Sequence, residues 1–139
     1  MQLNKIKLSE DVDNKLRLLK TRTGLTPNLL CRIGFCLSLR EPEIPDPSDF
    51  DEKSNREFNR YTLTGNWDIF FVALLKQRCF NDGLLIPADL EEQFRAHMNR
   101  GVLILFQRVK HLNDLSRLVD NTQSEILDNE NEEIWEQSL

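Results

Sequence analysis

The sequence predicts a mainly α protein: a compact helical domain entered through one short N-terminal strand. Apolar residues recur at helical spacing along most of the chain, and candidate helices are punctuated by capping residues, prolines and glycines. The one clear two-residue alternation lies at the start, over residues 4–9. With 139 residues, 40% apolar and 29% charged, the chain can bury a single core without a disulfide or metal staple. The expected organisation is one helical domain over residues 1–119, with a start at 1–40, a connector at 41–66 and core helices at 67–119. An acidic C-terminal segment follows at 120–139. No apolar run approaches the roughly twenty residues of a membrane span, and no basic-then-apolar leader opens the chain. A cytoplasmic protein without a membrane partner is therefore expected.

In the opening stretch, Ile6 and Leu8 take one face of an extended segment while Lys5 and Lys7 take the other. Ser9 caps a helix whose first turn carries Glu10 and Asp11, where carboxylates suit the dipole. Val12, Leu16 and Leu19 form its apolar stripe, with Lys15, Arg17, Lys20 and Arg22 on the remaining surface. Gly24 supplies the left-handed end, and Thr26-Pro27 starts a second helix at once. This strand-helix-turn-helix order resembles a ribbon-helix-helix unit, in which two chains pair strands into a ribbon that enters the DNA major groove. One departure matters: between Thr26 and Arg40 only Arg32 and Arg40 are charged, so the second helix belongs to the core of a larger unit.

Residues 41–47, rich in proline and acid, should run extended over the surface, with Phe50, Phe58, Tyr61 and Leu63 anchoring the connector. Residues 64–66 make a turn, and 67–80 are apolar nearly all round, the pattern of a central buried helix. Pro87 opens a last helical region in which Leu90, Phe94, Met98, Val102, Leu105 and Val109 keep one face. The pattern continues through Leu112, Leu115 and Val119, with a possible break after Lys110. Gly101 lies on that side. It costs a helix about 1 kcal/mol relative to alanine, so it is expected to admit a close backbone neighbour.

The net charge of −5 argues at first against a nucleic-acid partner, but it is unevenly placed. Residues 1–40 hold eight Lys/Arg against three Asp/Glu, net +5, whereas residues 120–139 hold seven acids and no base, net −7. A basic front half and a wholly acidic segment that shields it, or repels wrong partners, are the informative features.

The run Phe94-Arg95-Ala96-His97-Met98-Asn99-Arg100-Gly101, the Thr64-Gly65-Asn66-Trp67 turn with its apolar helix, and the Ile6-Lys7-Leu8-Ser9 entry are together similar to the DndE family. That family belongs to the bacterial DNA phosphorothioate-modification machinery, which replaces a non-bridging backbone oxygen with sulfur. The resemblance covers residues 4–119. It implies a small, nearly all-helical protein that forms a homotetramer and binds duplex DNA through a lysine-rich surface, with a preference for nicked duplex. It also implies work alongside a sulfurtransferase-like subunit and an ATPase subunit.

Motifs for chemistry are lacking. There is no phosphate-binding G-x-x-x-x-G-K-[ST], so an ATPase step belongs to another chain. His97 and His111 form no metal set, no cofactor is called for, and Asp89, Glu91 and Glu92 read as helix-start acids rather than a nuclease cluster. Cys31, Cys36 and Cys79 read as reduced, buried thiols; the sharper reading, a persulfide carrier, needs an accessible thiolate. Trp67 reads as a core aromatic rather than a base-stacking platform.

The candidate DNA-binding residues are Lys5, Lys7, Lys15, Arg17, Lys20 and Arg22, with Arg56, Arg60, His97 and Arg100 as secondary candidates for DNA or subunit contacts. On a helix His97 and Arg100 are neighbours, able either to reach phosphate or to lock the structure internally, while Arg95 lies about 200° from His97 and pairs with an acid. The expected function is a non-enzymatic DNA-binding subunit of a phosphorothioation complex. The competing readings are a ribbon-helix-helix transcriptional regulator and a scaffold that holds larger subunits through the Phe70-Phe71 helix without binding DNA.

Overall fold

The computed structural model describes residues 4–118. A short strand, β1 (Lys5–Lys7), leads into α1 (Glu10–Thr23) and α2 (Pro27–Arg40). An extended connector with a 3-10 turn at Pro47–Asp49 reaches β2 (Glu57–Asn59), followed by α3 (Arg60–Thr64), a second 3-10 turn, α4 (Asp68–Asn81) and α5 (Leu90–Arg108). The chain is mainly α, as the periodicity predicts. Val119 and the acidic segment 120–139 lie outside the described residues.

The helix punctuation acts where the sequence places it. Ser9 Oγ accepts from the Val12 N–H at 3.2 Å, and Gly24, at φ 74°, donates its N–H to the Lys20 carbonyl. Thr26 Oγ1 accepts from the Leu29 N–H, with Pro27 at the first helical position. The second helix, α2, packs chiefly on α5, and the two backbones meet at Gly34 and Gly101. A Cβ built on Gly101 would stand 2.1 Å from the Gly34 carbonyl oxygen. Around this crossing Phe35 stacks on Phe94 with ring centroids 5.1 Å apart. The helix runs unbroken through Gly101 and ends at Arg108, just before the expected break.

Three expectations change. The strand finds a partner within its own chain: β1 pairs antiparallel with β2, Ile6 opposite Phe58, so a two-stranded ribbon forms without a second copy. Phe58 is the connector's anchor, but it anchors by joining a strand. Pro87 does not open α5; it follows a cis bond in a turn, and the helix starts at Leu90. The central helix is α5, in which residues 93–99 are buried without interruption. The apolar α4 instead lies outside, burying only Val72, Leu75 and Cys79. Ile69 is 81% exposed, Phe80 73%, Phe70 61% and Trp67 58%, so Trp67 is no core residue. An all-round apolar pattern counts every surface that avoids water, including surface that the monomer itself does not cover.

Asn99, fully buried, ties these layers together. Its Oδ1 accepts from the Ser9 N–H at 2.8 Å and its Nδ2 donates to the Arg95 carbonyl at 2.8 Å, fastening the β1–α1 junction to α5.

Candidate nucleic-acid interface

The buried stripe of Val12, Leu16 and Leu19 fixes the rotation of α1 and splits its cations between two flanks. Lys15 and Arg22, seven residues apart and thus nearly two turns, face the end of α5, while Arg17 and Lys20 lie on the other flank. Over the half-buried ring of Phe106, the Arg22 guanidinium carbon stands 4.6 Å from the centroid, Lys110 Nζ 5.0 Å and Lys15 Nζ 5.8 Å. Three cations from two ends of the chain therefore meet at one aromatic ring, whose quadrupole offsets part of their mutual repulsion. Lys15 is held by Asp11 at 2.7 Å, and Lys110 Nζ donates to the Phe106 carbonyl at 3.2 Å. Among the described residues no carboxylate pairs with Arg22 or Lys110.

Phe106 and Lys110 were not among the sequence candidates. Their i, i+4 spacing is visible in the chain, but the crossing that brings them to Lys15 and Arg22 is a tertiary fact. The remaining candidates do not join this surface. Arg17 pairs with Asp13 at 3.1 Å, and Lys20 stands exposed on the same flank. Lys5, exposed, lies 3.9 Å from Glu57 across the ribbon. Lys5 and Lys7 line a cleft of about 140 Å³ together with Glu52, Glu57, Glu91 and Glu92. Four carboxylates make that cleft a poor place for phosphate, and the six cations do not form one basic face.

The secondary candidates are engaged internally. Arg56 Nε donates to the buried Asp13 at 2.6 Å, beside Ser54 Oγ at 2.8 Å, which ties the connector to α1. Arg60 grips Asp68 through two bonds of 3.0 and 2.8 Å, and this partner holds the Asp68 carboxyl below its usual range. Arg100 donates to Ser38 Oγ and to the carbonyls of Ser38 and Glu43, all at 2.7–2.8 Å, closing the C-terminus of α2 where no glycine does so. Arg78 assists with bonds to the Leu39 and Glu43 carbonyls.

His97 is wholly buried, its Nδ1 2.8 Å from Ser38 Oγ and its Nε2 without a partner among the described residues. Burial first, then the Arg100 and Arg78 guanidiniums, push its pKa down to about 3, so the ring is neutral at any physiological pH. His97 has no surface to present, and the phosphate-reaching reading of His97 with Arg100 gives way to the internal lock. Arg95 pairs with Glu92 at 3.2 Å and donates to the Phe50 and Pro47 carbonyls at 3.0 Å, which pins the connector to α5.

Cys31 and Cys79 are buried as expected, and burial pushes Cys31 up to about 12; Cys36, by contrast, is exposed on α2. Among the described residues no group of three His, Cys, Asp or Glu could hold a metal, and no helix is long and apolar enough to cross a membrane.

No curated protein matches the chain. The family model described as DNA sulphur modification protein DndE matches residues 5–113. Among solved structures, the chain is similar to DndE from Escherichia coli B7A, involved in DNA phosphorothioation modification. The two are 25% identical with a TM-score of 0.61, covering 76% of this chain and 99% of that one. It shares its fold with a glycine-to-lysine mutant of DndE, at 23% identity and a TM-score of 0.58, over 75% of this chain and 97% of that one. With the family match spanning well over half of its length, the chain belongs to the DndE family of DNA sulphur modification proteins.

Proposed function

We propose that this protein is the DNA-binding subunit of a phosphorothioation complex, holding duplex DNA by its backbone phosphates and contributing no catalytic group of its own. The observation that carries the reading is the Lys15–Arg22–Lys110 surface over Phe106. Arg22 and Lys110 have no opposing carboxylate among the described residues, and Lys15 is bound only by the exposed Asp11; such cations contact phosphate and position a protein on DNA without reading sequence. A nicked duplex bends more easily than an intact one, so an assembly presenting several such surfaces meets more phosphates on it; the preference for nicked DNA follows from that. The assembly is a homotetramer formed through the exposed apolar face of α4, where Ile69, Phe70 and Phe80 stand open. It works in the cytoplasm beside sulfurtransferase-like and ATPase subunits.

The internal pairing of β1 with β2 favours this reading over a regulator of ribbon-helix-helix type, whose ribbon is built from strands of two chains. The scaffold reading draws on the same α4 face and separates from ours by experiment. Binding of intact and nicked duplex is measured across salt concentrations, with native mass determination on the same samples. Replacing Lys15, Arg22 and Lys110 together by glutamine should flatten the log affinity against log salt slope by about 2 to 3 for each copy in contact with the duplex and weaken both DNAs. Unchanged affinity and slope would sink the phosphate reading; intact assembly with no DNA binding in the wild-type protein would favour the scaffold.

A further inference from the structure

The basic surface has an anionic candidate partner within the same chain. The family match ends at residue 113, and the acidic residues 120–136 lie beyond it. This segment contains seven Asp/Glu and no Lys or Arg, with Ile126, Leu127, Ile134 and Trp135 among them. About a quarter of this chain lies outside the superposition on the DndE chain from Escherichia coli.

We propose that residues 120–136 dock on the Lys15–Arg22–Lys110 surface and compete there with polyanions, making the surface self-shielding. Three observations support this. The described chain leaves the fold close by: Lys110 is eight residues before Leu118, and the Lys110 and His111 N–H groups donate to Asp114 at 2.8 and 3.0 Å, making a turn directly after α5. The reach is ample, since residues 119–139 can span up to about 70 Å extended, while Lys15 and Arg22 lie only about 10 Å apart along α1. The charges are complementary, and Arg22 and Lys110 have no carboxylate partner among the described residues. Tethering places the acids at a local concentration of order millimolar, enough for weak ion pairs to populate the docked form. Competition with DNA rests on the phosphate-binding reading of this surface; docking itself does not.

The chain holds two tryptophans, so a full-length Trp67→Phe protein leaves Trp135 as sole reporter. Trp67 is largely exposed, which makes that change mild. Without DNA, acrylamide quenching of Trp135 should be low at low salt and rise by about 0.5 M salt, where the Debye length is under about 5 Å. Adding the Lys15, Arg22 and Lys110 glutamine substitutions should give the high-salt value at low salt. Identical quenching with and without those cations, independent of salt, would overturn docking. In a second arm, glutamine at Glu130, Glu132, Glu133 and Glu136 should tighten binding to a labelled duplex. A segment docked nine-tenths of the time lowers apparent affinity about tenfold, and that gain should shrink as salt rises. An unchanged affinity would overturn competition, whereas a cation-dependent Trp135 signal with no DNA binding in either protein would leave docking standing and remove the DNA reading.

Discussion

Gly101→Ala opposes helix propensity to packing so strongly that its sign decides whether the α2–α5 crossing is as tight as described. In an open helix the change should stabilise by about 1 kcal/mol, alanine being the better helix former. Here the new methyl carbon would lie 2.1 Å from the Gly34 oxygen, 2.2 Å from its carbonyl carbon and 2.7 Å from the Phe35 nitrogen. All three are backbone atoms of a buried helix and cannot rotate aside. Restoring an ordinary carbon–oxygen contact of about 3.3 Å requires the helices to part by about 1 Å. A gap of that size forfeits between a quarter and a half of the dispersion at the contact. Leu30, Phe35, Phe94, Met98, Val102 and Leu105 are fully buried around the crossing, each worth about 2 kcal/mol. Losing a quarter of that sum removes about 3 kcal/mol, and the propensity gain returns about 1, for a net loss near 2 kcal/mol. Urea unfolding at fixed protein concentration reads this directly, since an oligomer's midpoint moves with concentration. A variant as stable as wild type, or more so, would show that the two backbones do not touch at these glycines.

Three further expectations rest on other contacts. His97, with a folded pKa of about 3 against an ordinary 6.5, takes up a proton only on unfolding, so its stabilisation is complete above pH 6.5 and declines as pH falls towards 3. Between pH 6.5 and 5 this amounts to about 2 kcal/mol in unfolding free energy, and His97→Gln should flatten the profile there; an equal slope in both proteins would assign the loss to other groups. Asn99→Ala leaves the Ser9 N–H without its 2.8 Å acceptor in a buried junction and should cost about 1 to 3 kcal/mol in chemical denaturation, with hydrogen exchange rising first at β1. The pair Ile69→Ser and Phe80→Ser, both on exposed positions of α4, should leave monomer stability within about 0.5 kcal/mol while shifting native mass to the monomer; a retained assembly would place the interface elsewhere.

The sequence made local features legible and long-range ones much less so. Ser9, Gly24 and Thr26-Pro27 act within a few residues of themselves, and each bounds a helix as expected. Gly101 was readable because an interior glycine costs a helix stability, so its presence implies a neighbour; Gly34, its partner, gave no such signal within a crowded apolar run. The strand β2 was missed because three residues are too short to show alternation and are held by Lys5–Lys7 some fifty positions away. For α4, periodicity reports how much surface is apolar but not whether this chain or another copy covers it. The basic site was half legible for the same reason: charge counting finds Lys15 and Arg22, but only the packing of α1 against the end of α5 separates them from Arg17 and brings Lys110 to them.

The two unusual surfaces, cationic over Phe106 and apolar on α4, explain each other energetically. On the proposed reading, three phosphate contacts per copy would give a salt slope near −2.7 and an affinity of the non-specific class, with Kd of order 10⁻⁴ to 10⁻⁶ M. A single copy would therefore spend much of its time off the duplex at physiological salt. When α4 joins copies, the second surface meets the same DNA at an effective concentration of order millimolar, and avidity gains of about 10² to 10⁴ follow without any new contact to DNA. The Ile69 and Phe80 substitutions should thus weaken DNA binding although neither side chain belongs to the cationic site, and the apparent salt slope should fall towards that of one copy. The glutamine substitutions at Lys15, Arg22 and Lys110 should lower affinity with assembly intact. Opposite patterns in the two variants would separate assembly from contact.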